Sequence, residues 1–209
     1  MKTVSLNLYK YDELTPEAQE KALNWYRELN SQLDYDWYNA TYEVHKEKAS
    51  SKGFDIDQIY FSGFSSQGDG ACFEYSGDSD KLFKDFVTSL NLSPLRKRWL
   101  LSQGAPYASG KHSGRYYHEN SCSHTISIET EFSYRVYPLL GHWIESFTTD
   151  FEAFVVDAYK DICRELYKAL EAEYEYLQSD SVLIDNIISN EYDFTESGIK
   201  FSHNNVNEA

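Results

Sequence analysis

Basic residues are scarce in this chain: 19 Lys and Arg stand against 34 Asp and Glu in 209 residues, a formal charge of −15. That surplus opposes non-specific attachment to nucleic acid or anionic lipid, since both repel it at long range. Proline occurs four times (Pro16, Pro94, Pro106, Pro138) and never in a Pro/Ser-rich run, so no stretch reads as an interdomain linker. Three cysteines, an odd number without a framework spacing, exclude a disulfide-stapled scaffold and fit a cytoplasmic protein. No apolar run approaches the ~20 residues that span a bilayer, and Met1-Lys2-Thr3-Val4-Ser5 lacks the apolar core of a signal peptide.

What is abundant is aromatic: 16% of residues, including 18 tyrosines and four tryptophans. Tyrosine combines an apolar ring with a polar tip and suits half-buried strand faces and interfaces alike. The length and composition predict a single acidic α+β domain over residues 1–201, with a disordered tail at 202–209. Charge is unevenly distributed. No acid occurs from Phe86 to His118, where Arg96, Lys97, Arg98, Lys111 and Arg115 lie; from Trp143 onward fifteen acids face four Lys or Arg.

Periodicity supplies the elements. Val4, Leu6 and Leu8 alternate in a strand over residues 3–10, and Thr15-Pro16-Glu17 opens a helix bearing Ala18, Ala22, Trp25, Tyr26 and Leu29. A second helix through Trp37, Tyr38, Tyr42, Val44 and His45 ends at Gly53. Strands are expected at 54–64 and 71–75 around a turn, then helices through Leu82–Leu90 and from Ser93-Pro94. Gly104–Gly114 reads as a loop, Arg115–His118 and Thr125–Val136 as an antiparallel pair, and Phe151–Leu177 as a long amphipathic helix. A short helix at Val182–Ile188 and a closing hairpin over residues 192–201 complete a mostly antiparallel sheet with several helices packed on it.

Two segments carry candidate chemistry. In Ser66-Gln67-Gly68-Asp69-Gly70 the paired glycines permit positive φ and close approach to a ligand; the plainer reading is a hairpin turn in which Asp69 bonds its own backbone. It is neither a P-loop nor a dinucleotide fingerprint. In Lys111-His112-Ser113-Gly114-Arg115-Tyr116-Tyr117-His118-Glu119, Arg115 suits a phosphate or carboxylate and Tyr117 suits stacking, with Lys111 and His118 beside them. The plainer reading there pairs Arg115 with one of the surplus acids. The Arg96-Lys97-Arg98 triplet opposes the dipole at a helix start, so an acidic neighbour or an anionic partner is expected to offset it, an intramolecular carboxylate being the plainer reading. His118, Cys122 and His124 match no common zinc spacing, so no metal and no cofactor is expected, and no catalytic residue stands out.

The string Ile59–Phe73, containing Ser62-Gly63-Phe64-Ser65-Ser66-Gln67-Gly68-Asp69-Gly70-Ala71, together with Ser113-Gly114-Arg115-Tyr116-Tyr117-His118-Glu119, resembles a poorly characterised group of bacteriophage and prophage proteins. Tyr11-Asp12-Glu13-Leu14 and Asn190-Glu191-Tyr192-Asp193-Phe194 extend the likeness over most of the chain. Some members carry the label antitoxin. The resemblance implies a phage origin, hence the host cytoplasm, and supplies no catalytic residue. With the acidity it suggests a non-enzymatic accessory protein that blocks a host protein, such as a defence effector, through that protein's basic surface, without direct contact to nucleic acid or membrane. Two alternatives stand beside it: a nucleotide or other anionic small-molecule site at the Gln67–Gly70 turn with Arg115 and His118, and an antitoxin that neutralises a basic toxin.

Overall fold

The computed structural model describes residues 6–32, 36–127 and 131–202. The fold is α+β. In chain order it comprises α1 (Pro16–Gln32), α2 (Asn39–Lys52), β1 (Ile56–Phe61), β2 (Ala71–Asp78), α3 (Asp80–Ser89), α4 (Pro94–Leu101), β3 (Tyr107–His112), β4 (Cys122–Ser127), α5 (Glu131–Leu177) and α6 (Asp180–Ser189). Contacts divide the chain into two compact units, Met1–Trp37 with Ala172–Ala209, and Tyr38–Glu171.

In the first unit, α1 begins as its sequence requires: Pro16 occupies the first turn and Thr15 Oγ1 accepts the Ala18 amide at 3.4 Å. Its buried face, Ala18, Ala22, Leu23 and Tyr26, packs with Leu183 and Ile187 of α6 and with Phe194. Trp25 meets Tyr192 and Phe194 edge-on, at 5.3 and 5.9 Å between centroids. The expected closing hairpin forms, with Thr195 N–H donating to Ile199 O and Phe201 N–H to Asp193 O. The expected strand over residues 3–10 does not form in its described part. Only Tyr9 pairs, exchanging hydrogen bonds of 2.8 and 2.9 Å with Phe194, while Leu6 and Leu8 are exposed. Alternation alone did not secure a strand because Phe194 offers a single bridging residue there. Of the expected disordered tail, residues 203–209 lie outside the described residues.

The second unit is built on an antiparallel sheet in the order β1-β2-β3-β4. Gly53 ends α2 at φ 98°, with its N–H on Ser50 O and that of Phe54 on Ala49 O, and so turns fully buried Phe54 into the core. The buried positions of α2 are His45 and Ala49; Val44, expected on the apolar face, is exposed. Leu82, Phe83, Phe86 and Val87 of α3 are buried, and Phe83 and Phe86 pack on Phe151. Along α5 the residues Phe151, Val155, Tyr159, Ile162, Leu166 and Leu170 form one solvent-free stripe at helical spacing.

Three expectations around this sheet are corrected. The segment expected as a loop at Gly104–Gly114 holds β3, whose buried face consists of small residues, Ala108 and Gly110, that hydrophobic patterning does not register. Arg115–His118, expected as a strand, is part of the loop between β3 and β4. The strand expected over 125–136 ends at Ser127; residues 128–130 lie outside the described residues, and α5 begins at Glu131 rather than near Phe151. Phe132, Val136, Leu140 and Trp143 recur at helical spacing as well, so the sequence fits both periods and the long helical continuation decides.

Candidate functional site

The antiparallel order brings the β1–β2 loop (62–70) and the β3–β4 loop (113–121) to the same end of the sheet, where they touch. A methyl group added at Gly70 would stand 2.7 Å from His118 Cβ and 3.0 Å from Tyr117 O, so only glycine admits this approach. Two side chains of α5 tie the loops down. The Tyr167 hydroxyl donates to Gly63 O at 3.2 Å, and Arg164 donates through Nε and Nη2 to Glu119 Oε1 at 3.0 and 2.8 Å.

Both sequence motifs are thus neighbours in space, but most of their polar groups are already satisfied. Asp69 Oδ2 accepts the amides of Ser65 and Ser66 at 3.0 and 2.7 Å, which makes it the staple of its own turn. His118 receives the Asn120 amide on Nδ1 at 3.1 Å and donates its own N–H to Ser121 Oγ. Lys111 pairs with Glu74 at 3.1 Å and Asp57 at 3.7 Å, and its hydrogen bond to Glu74 raises its pKa. Tyr117 stacks on Tyr60, with centroids 5.4 Å apart and planes 8° from parallel, and His112 closes that aromatic group. Ser66 and Gln67 are exposed at the turn tip. Arg115 is exposed too and forms no ion pair among the described residues, so the plainer pairing with a surplus acid does not occur there.

A second constellation escaped the sequence. All three cysteines, far apart in the chain, gather near Tyr159. The buried Tyr159 hydroxyl accepts the Phe73 N–H at 3.1 Å; Phe73 O lies 3.0 Å away and Cys122 Sγ 2.9 Å away, and the hydroxyl donates to one of them. Cys122 Sγ also lies 3.3 Å from Phe73 O. A helix side chain here takes the place of a strand partner for Phe73, where β3 no longer pairs with β2. Its hydrogen bond to Cys122 and its burial raise the Cys72 pKa, and burial pushes the Cys163 thiol up to about 12, so neither thiol is ionised as a nucleophile must be. His124 Nδ1 and the Tyr75 hydroxyl share a hydrogen bond at 3.0 Å, and burial lowers the His124 pKa. A buried tyrosine in an otherwise wholly apolar stripe signals a hydroxyl in need of a partner. His118, Cys122 and His124 therefore each have protein partners, and among the described residues no three His, Cys, Asp or Glu side chains are placed to hold a metal ion.

Electrostatics outside the loops are lopsided. Lys48 pairs with Glu165 at 2.5 Å, Lys81 with Asp85, Lys46 with Glu43, and Arg164 with Glu119 and Asp161, so these four cations of the second unit are neutralised locally. Asp150, Glu152 and Asp157 of α5 are exposed and form no ion pair among the described residues. Around α4 the sign reverses. Lys97 donates to Thr88 O at 2.6 Å, at the end of α3, while Arg96 and Arg98 are exposed and unpaired among the described residues. Among the described residues no carboxylate forms the expected ion pair with this triplet.

No described helix is long and apolar enough to cross a membrane. Comparison with curated proteins and with solved structures finds no match. A family model described as a domain of unknown function (DUF8835) matches residues 37–180, and the chain belongs to that family.

Proposed function

We propose that this protein is a non-enzymatic binding protein that docks, through carboxylates on exposed helical surface, against a partner with a basic surface. In the phage setting suggested by its motifs, that partner is a host protein, and docking blocks it. The observation that carries the reading is the set of exposed α5 carboxylates (Asp150, Glu152 and Asp157) that form no ion pair among the described residues, in a chain with a formal charge of −15. Ordered side chains of one sign raise the encounter rate with an oppositely charged partner and exclude like-charged competitors.

The partners already held by the two motif loops favour this reading over the ligand-site alternative. Asp69, Lys111 and His118 already have partners, and the clefts lined by Gly53 and Tyr75, by Tyr9 and Thr195, and by Trp99 and Trp143 take no lining residue from either loop. Buried, protonated thiols leave Cys72 and Cys163 without nucleophilic character. The test is affinity capture from host lysate with the parent chain and with an Asp150→Asn, Glu152→Gln, Asp157→Asn variant. A protein retained by the parent and lost by the variant, with both baits equally folded, is the expected result. Equal retention by both would refute the assignment of the docking face.

A further inference from the structure

The groove between α4 and the α5 residue Trp143 is unrelated to the motif loops and opposite in character to the acidic face. It measures about 380 Å³ and is lined by Leu92, Arg96, Trp99, Leu100 and Trp143. That volume lies within the range of small-molecule sites. Trp99 and Trp143 remain 42% and 39% exposed, an uncommon state for indoles in so small a patch. The walls are firmly backed. Trp143 stacks on Phe147 at 5.2 Å, Phe147 packs on Phe86 of α3 at 5.3 Å, Leu100 is buried, and Lys97 fastens α4 to the end of α3.

We propose that this groove binds a nucleotide, its base against the indole faces and its phosphate on Arg96. Three observations converge. Arg96 lines the groove and forms no ion pair among the described residues, so its guanidinium is available for a charge-assisted, two-pronged contact with phosphate. The chain from Phe86 to His118 contains no carboxylate, so the segment that forms the α4 wall brings no acid to repel an anion. Trp99 and Trp143 offer the flat, polarisable surfaces on which bases stack irrespective of sequence. The charge complementarity favours an anion, and the size of the groove favours a small one over a polypeptide helix. This inference stands independently of the docking role assigned to α5, since no residue is shared.

The experiment titrates the full chain with AMP, GMP, CMP and UMP, following tryptophan fluorescence and heat of binding, with adenosine and ribose 5-phosphate as separate arms. Saturable binding of at least one mononucleotide is expected, weaker for adenosine and absent for ribose 5-phosphate. Arg96→Gln should weaken it about tenfold, the loss of one charge-assisted contact. Trp99→Leu should weaken it by at least as much. Both positions are exposed, and an unchanged melting temperature will confirm that the variants remain folded. Failure of all four mononucleotides overturns the proposal, as does equal affinity for AMP and adenosine, or binding that neither substitution alters. Quenching by poly-L-glutamate in place of nucleotides would mean that a polypeptide occupies the groove, and would likewise overturn it.

Discussion

Replacing Tyr159 with Phe removes one oxygen atom from the centre of the second unit and leaves the ring in place. The ring packs against Phe73 at 4.5 Å and Phe54 at 6.4 Å, contacts that Phe preserves, so no large cavity opens. What is lost is the partner of the Phe73 N–H, in a site where Phe73 and Tyr159 are both fully buried. An orphaned buried donor costs about 1–3 kcal/mol. The Phe73 carbonyl suffers less, because the Cys122 thiol at 3.3 Å can still reach it. The net expectation is a destabilisation of about 2 kcal/mol, which lowers the melting temperature by about 4–8 °C in a protein of this size. Urea titration followed by tryptophan fluorescence reads the free energy, and calorimetry reads the melting temperature. A change below about 0.5 kcal/mol would refute the claim that this hydroxyl serves as a strand partner.

Further outcomes follow from the same structure. Gly70→Ala drives a methyl group into His118 Cβ and Tyr117 O and should cost about 1–3 kcal/mol; faster hydrogen exchange confined to residues 62–70 and 113–121 would locate the damage in the two loops. Cys72 and Cys163 should resist iodoacetamide in the native protein and react in denaturant, as read by mass spectrometry; rapid native labelling of Cys163 would contradict its burial. His124 has a folded pKa below its ordinary value of 6.5, so the unfolded chain takes up its proton first. Its contribution to stability should be constant above about pH 6.5 and fall as the pH drops below it, and His124→Asn should flatten that part of the urea-midpoint profile.

The sequence was most informative where one signal had one meaning. Pro16 after Thr15, Gly53 after a helical run, and Ser93-Pro94 each mark a helix boundary that the structure keeps. The Gly68-Asp69-Gly70 turn was readable as self-bonded because Asp favours accepting nearby amides. Legibility failed where local pattern and tertiary context disagreed. Small residues disguised β3, whose inward positions Ala108 and Gly110 carry little hydrophobic signal. Residues 131–136 suited a strand and a helix equally, and only the continuous α5 settled their fate. The proximity of the two motifs needed the strand order, and the grouping of Cys72, Cys122 and Cys163 near Tyr159 needed a long-range fold that no spacing encodes. The exposure of Trp99 and Trp143 is a tertiary fact that no spacing encodes.

The salt dependence of the association constant between this protein and the host protein that it retains tests the central claim most directly. Between about 0.1 M and about 1 M salt the Debye length contracts from about 10 Å to about 3 Å, which screens exposed carboxylates at the docking face. Affinity should fall steeply over that interval for the parent chain and only shallowly for the Asp150→Asn, Glu152→Gln, Asp157→Asn variant. An association constant that holds level across the interval would contradict a docking role for the acidic surface.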